Sequence, residues 1–169
     1  MNKTMQMMCC AALGFAAAFL PLRAKAASDD DKKFLAMAAQ SDRNEIALSK
    51  LAQEKATNPD VKAFADKMIT EHTKMTEDMK PFADSWGLTP PASPDADHQK
   101  ELDKLIGLSG KDFDKEYMDE MVSDHTKTLS AFTSEAKDTK DAKFRDAVIQ
   151  GKTAVAAHKN MAYDLKKKV

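Results

Sequence analysis

From residue 34 onward, apolar positions recur in alternating steps of four and three, the spacing of a helix that buries one seam. Phe34, Ala38, Ser41, Glu45, Leu48 and Ala52 trace the first seam. Val61, Ala65, Met68, His72, Met75, Met79, Phe82 and Trp86 trace a second without a break. Phe113, Tyr117, Met118, Met121, His125, Leu129 and Phe132 form a third. Phe144, Val148, Gly151, Val155, His158, Ala162 and Leu165 form a fourth. The pattern predicts four long amphipathic helices.

Local signals set their ends. Ser28 followed by Asp29, Asp30 and Asp31 supplies the cap and acidic first turn that a helix start prefers, so the first helix runs from about residue 30 to 56. Asn58-Pro59 closes it and opens the second, with Asn as cap and Pro at the first helical position. Gly87 is the expected C-cap of that second helix. Thr89-Pro90-Pro91 is an extended breaker, and Ser93-Pro94-Asp95 restarts a short helix that ends near Ile106. Ser109-Gly110-Lys111-Asp112 reads as a capping box for the third long helix. That helix ends near Lys137, and a tight turn over Asp138-Thr139-Lys140-Asp141 leads to the fourth.

Short connections make antiparallel hairpins, whereas the stretch from Leu88 to Gly110 is long enough to cross the molecule. An extended segment plus ~12 helical residues at about 1.5 Å each spans a bundle ~35–40 Å long. The expected fold is all-α: a ferritin-like four-helix bundle, two antiparallel hairpins joined by a long crossover containing a short helix. The crossover makes the second and third long helices parallel.

The first 26 residues read differently. Lys3 precedes an apolar run from Met7 to Leu20, and Ala24-Lys25-Ala26 has the small-x-small form of a signal-peptidase site. The expected organisation is a signal peptide over 1–26 and a single helical domain over 27–169. The apolar run is shorter than the roughly 20 residues that cross a bilayer, and no later stretch approaches that length. The product is expected to be periplasmic or secreted, with envelope association as a variant, and to have no membrane span in its mature part. Both cysteines, Cys9 and Cys10, lie in the leader, so the mature chain has neither disulfides nor thiolate ligands. Losing Lys3, Arg23 and Lys25 leaves four more acids than bases, a balance that argues against nucleic acid as a partner.

The seams contain an anomaly. Each long helix places one strongly polar, ligand-type residue among its apolar positions: Glu45, His72, His125 and His158. Counted from the turns, Glu45 and His72 are level within about 3 Å, and His72 and His125 lie at one depth. The same count puts His158 off by ~7–9 Å, nearer the layer of Met118 and Met121. Buried glutamate or histidine without partners is costly, so such residues either satisfy one another or hold a ligand. Imidazole and carboxylate suit Zn, Fe or Cu, among which residue type does not choose. The competing reading is an internal Glu/His hydrogen-bond network that fixes the bundle's register.

Around two of these histidines the chain repeats itself. Met68-Ile69-Thr70-Glu71-His72-Thr73-Lys74 matches Met121-Val122-Ser123-Asp124-His125-Thr126-Lys127 position by position in kind. Each methionine stands one turn before its histidine, so Met68 and Met121 are softer candidate ligands, a copper(I)-type pairing. Methionine is also a common filler of helical cores. Glu71 and Asp124, turned about 100° from the histidines, are expected to face solvent. Di-iron carboxylate chemistry calls for Glu three residues before His, and those positions hold Ile69, Val122 and Val155. No nucleophile–base pair or Gly-rich phosphate loop stands out, so enzymatic activity has no positive support.

Several stretches resemble a bacterial exported family known as domain of unknown function 4142. They are Asn44-Glu45-Ile46-Ala47-Leu48-Ser49-Lys50-Leu51-Ala52, Asn58-Pro59 through Ala65, Glu71-His72-Thr73-Lys74, His98, Leu108 to Asp114, Tyr117, His125 and His158. The resemblance covers about residues 31 to 166. It implies a ferritin-like fold and an envelope location, described for some members as outer-membrane, and it implies no reaction. The reading is an exported helical bundle whose Glu/His cluster binds a transition-metal ion, with a role in envelope stress or metal handling. The alternative is a structural or interaction module in which that cluster is purely internal.

Overall fold

The computed structural model describes residues 27–169 as five helices, with no strand among the described residues. They are α1 (Asp29–Lys55), α2 (Pro59–Trp86), α3 (Ala96–Ile106), α4 (Gly110–Asp138) and α5 (Ala142–Lys166). The leader and cleavage site expected over residues 1–26 lie outside the described residues. None of the helices is long and apolar enough to cross a membrane.

The ends follow local chemistry, with two departures from expectation. Ser28 and Asp31 form a reciprocal capping box on α1. Asn58 caps α2 ahead of Pro59, and Gly87 ends it at φ 70°, in the left-handed region that favours glycine. The box expected at Ser109 does not form: Ser109 makes no side-chain cap bond, and the chain enters α4 through Gly110 at φ 58°. The short helix starts later than Ser93-Pro94 suggests. Asp95 is its cap because that carboxylate reaches the amides of both Asp97 and His98, leaving Pro94 outside.

Polar contacts between helices give their directions. Asp42 meets His72 and Gln53 meets Asp66, so α1 and α2 run antiparallel. Ser41 meets Thr128, Ser49 meets Tyr117 and Thr57 meets Asp114, so α1 and α4 are antiparallel too. Hence α2 and α4 are parallel, and the segment carrying α3 returns the chain to the end it left. α5 packs on α4 and α2, while α3 lies on α1 and α4.

The buried apolar residues fall into two clusters. One holds Leu48, Phe64, Met68, Phe113, Tyr117, Met118 and Met121 among others. The second holds Phe34, Leu35, Met75, Met79, Phe132, Phe144, Val148 and Val155. Along every long helix the polar seam residue falls between them: Glu45 between Ala38 and Leu48, His72 between Met68 and Met75, His125 between Met121 and Phe132, His158 between Val155 and Ala162. A polar layer therefore cuts the core into two apolar halves.

Candidate metal centre

His72 on α2, His125 on α4 and His158 on α5 meet inside this layer. All three are essentially inaccessible to solvent. Their ring centroids stand 5.1 to 5.4 Å apart, and one nitrogen from each ring lies within 4.8 Å of the others. His72 Nε2 and His125 Nε2 face one another at 3.3 Å.

Each ring has a nitrogen fixed from outside the cluster. His72 Nδ1 donates to Asp42 Oδ1 at 2.8 Å, and Thr76 steadies that carboxylate through Oδ2. His125 Nδ1 donates to the carbonyl of Met121, one turn back, at 2.8 Å. His158 Nε2 bonds Glu71 Oε2 at 2.5 Å, while its Nδ1 is buried without a partner. Because a carbonyl only accepts, neutral His125 carries its proton on Nδ1 and points a bare lone pair at His72. Burial, then the His72 and His158 charges, pushes His125 down to about 3. Burial, opposed by the hydrogen bond to Glu71, brings His158 to about 4. Both rings are therefore neutral near pH 7, the form that ligates metal.

Glu45 stands beside this group. It is buried, and its Oε1 lies 3.6 Å from His125 Nδ1, the nitrogen already given to Met121. Burial, then the charge of Asp124, raises Glu45 well above the usual carboxylate range. Its Oε2 has no partner. Met68 and Met121 are fully buried in one apolar half.

Three placements differ from the sequence reading. His158 shares the level of His72 and His125. His125 lies about 13 residues before the end of α4 and His158 about 16 after the start of α5, a stagger of only about 4.5 Å that inward-reaching rings close. Glu71 is half-buried against His158, and Asp124 is buried against His98. Neither simply faces solvent, because the neighbouring element covers it. Asp42, which orients His72, drew no attention in the sequence because it lies one step off the seam; its sole signal was its place one turn before Glu45.

A second polar group lies outside the layer, where α3 crosses α1 and α4. His98 Nδ1 bonds Asp95 Oδ1 at 2.8 Å, and its Nε2 bonds Asp124 Oδ2 at 2.9 Å. Asn44 donates to the other oxygen of Asp95 at 2.8 Å. The hydrogen bond to Asp124, opposed by burial and aided by Asp95, lifts His98 to about 9.

Comparison with known structures places the fold. The chain matches a DUF305 fragment from Deinococcus radiodurans at TM-score 0.75 and 12% identity, over 86% of this chain and 100% of that one. It matches a DUF305 protein from Streptomyces coelicolor at TM-score 0.69 and 14% identity, covering 80% and 89%. CopM in its Cu(II)-bound form matches at TM-score 0.70 and 19% identity, covering 82% and 96%, and its Cu(I)- and Ag-bound forms match similarly. At these identities the likeness concerns the fold alone. No curated protein matches the chain. Residues 18–165 match the family model described as "Domain of unknown function (DUF4142)", and the chain belongs to that family.

Proposed function

We propose that this chain is a transition-metal-binding protein of the cell envelope, with His72, His125 and His158 as its ligands. One observation carries the reading: three buried imidazoles each have one nitrogen held from outside the group, by Asp42, Met121 and Glu71, and one nitrogen from each ring lies within 4.8 Å of the others. Outer partners of that kind set the tautomer and ring orientation in histidine metal sites. Two nitrogens bound to one tetrahedral ion at about 2.0–2.1 Å stand roughly 3.3–3.4 Å apart, and the gap between His72 Nε2 and His125 Nε2 is 3.3 Å. Two facing lone pairs at that distance repel unless a cation lies between them.

An all-imidazole set suits copper and zinc, as it does iron. The shared fold with CopM, known in Cu(II)-, Cu(I)- and Ag-bound forms, makes copper the first ion to test. Met68 and Met121 are the reserve donors for the cuprous state, and Glu45, 3.6 Å from His125, is the reserve carboxylate. The bundle is read as ferritin-like, a single domain after a leader over residues 1–26, working in the periplasm or outside the cell.

A second reading rests on the same 3.3 Å contact. A protonated His72 bonded to Asp42 can donate to His125, making the layer an internal network without metal. Titration of wild type and a His72→Gln/His125→Gln variant with Cu(I), Cu(II) and Zn(II) separates the two. One ion fewer per chain in the variant than in wild type is expected. Equal binding by both proteins, or none by either, leaves the network reading.

A further inference from the structure

We infer a second metal site on the outer face of the bundle, formed by His98 on α3 with Glu120 and Asp124 on α4, for a divalent first-row ion such as Zn(II). Ligand atoms of these three side chains all lie within 4.8 Å of one another. Glu120 and Asp124 are four apart, so both carboxylates project from one face of α4 toward α3. His98 presents Nε2 to them, at 2.9 Å from Asp124 Oδ2. Its other nitrogen is tied to Asp95, which Asn44 of α1 holds in turn. That is the arrangement of a metal-ligating histidine with a carboxylate behind it. One imidazole with two carboxylates is a common donor set for divalent first-row metals.

The charge around this group asks for a cation. Asp95, Glu120 and Asp124 crowd one imidazole, and Glu101, one turn along α3 from His98, has a buried oxygen without a partner. The ammonium groups that approach are peripheral: Lys127 lies 3.2 Å from Asp124 Oδ1 and Lys104 lies 3.5 Å from Glu101, and both side chains are mostly solvent-exposed. Exposed pairs of that kind contribute little. A divalent ion between Nε2 and the two carboxylates would replace the shared protons, with the spare oxygen of Glu101 within a turn of it.

This site does not rest on the buried histidines. It differs from them in chemistry, mixed nitrogen and oxygen donors at the surface against nitrogen donors in the core. Asp124 and His125 are consecutive, so the outer site lies beside the buried one along α4.

The test is Zn(II) titration of the whole mature protein with ¹⁵N-labelled histidine, read by bound stoichiometry and by ring resonances. Wild type is expected to bind two ions, and His98→Gln one. In wild type the His98 ring nitrogens should shift on adding Zn(II), separately from those of His72, His125 and His158. His98→Gln changes a side chain 20% exposed and outside the apolar clusters, and Glu120→Gln gives an independent variant that should weaken the outer site at least tenfold. Unchanged stoichiometry in His98→Gln together with an unmoved His98 resonance overturns the inference. If His98→Gln instead abolishes all binding, the outer site stands and the buried reading falls. If binding is lost only with His72→Gln/His125→Gln, the buried reading stands and this one falls.

Discussion

Glu135, in the last turn of α4, shows what a single carboxyl contributes here. It is buried beside Asp31 of the α1 cap, and one of its oxygens has no partner. Burial, then the hydrogen bond and charge of Asp31, pushes Glu135 up to about 7. Burial opposes ionisation of Asp31 as well, but hydrogen bonds from Glu135, Thr139 and Ser28 outweigh it and hold Asp31 below its ordinary value. The pair thus shares one proton, carried by Glu135. Because its folded value lies above the unfolded one, the stability it contributes is full below about pH 4.5 and is lost as pH rises through about 7. Glu135→Gln keeps a neutral donor toward Asp31 and cannot ionise. Urea midpoints at pH 5, 7 and 8.5 should fall for wild type across that window and fall less for the variant; parallel curves would refute the shared proton. Residues of this kind were invisible in the sequence. The seam rule finds His72 because it stands at a heptad position between Met68 and Met75. It passes over Asp42, Glu71 and Asp124, which lie one step beside the seam and are covered only because a neighbouring helix overlaps them.

Between elements, α4 and α5 meet tightly at Gly151. A Cβ built there would sit 2.4 Å from Cε1 of Phe132 on α4. Phe132 is buried and packs edge-to-face on Phe34 at 4.9 Å, so its ring has little room to yield. Gly151→Ala gains about 1 kcal/mol of helix propensity but forces an overlap of the kind that costs about 1–3 kcal/mol. Net destabilisation is expected in chemical denaturation, and Phe132→Leu in the same chain should recover much of it. A stabilised single variant would show that α4 and α5 separate freely. The seams made these helices legible, since period 3.5 survives in every one and the capping residues sit at its ends. Their relative heights were less so. Counting residues from a turn works for the tight α1–α2 connection, where Asp42, Glu45 and His72 fall together, and it misplaced His158 because stagger and side-chain reach are set by packing such as the Gly151–Phe132 contact. The α3 network was legible only as a crossover containing one histidine, because its partners Asn44 and Asp124 are distant in sequence.

At the scale of the whole molecule, the core is two apolar halves joined through a layer of Asp42, Glu45 and three histidines. A buried polar layer seldom raises stability: apolar groups of similar volume are often neutral or stabilising by about 1–4 kcal/mol. Its retention in a bundle with ample apolar seams therefore fits a task other than folding. This separates ligand from scaffold in a single experiment. A chain carrying Asp42→Ala with His72, His125 and His158 all changed to Leu removes each ring and the carboxylate that orients one of them. Glu71 is half-exposed and can turn to water, and burial already disfavours ionisation of Glu45. Without metal, the variant should unfold at an equal or higher urea midpoint than wild type. With copper at about 100 times its dissociation constant, wild type should gain about 2.7 kcal/mol by linkage, while the variant gains only what the outer His98 group supplies. If the apo variant is markedly less stable and wild type gains nothing from metal, the layer is a structural network. A wild type that becomes the more stable of the two only when loaded would show a core that gives up apolar packing for a place to hold an ion.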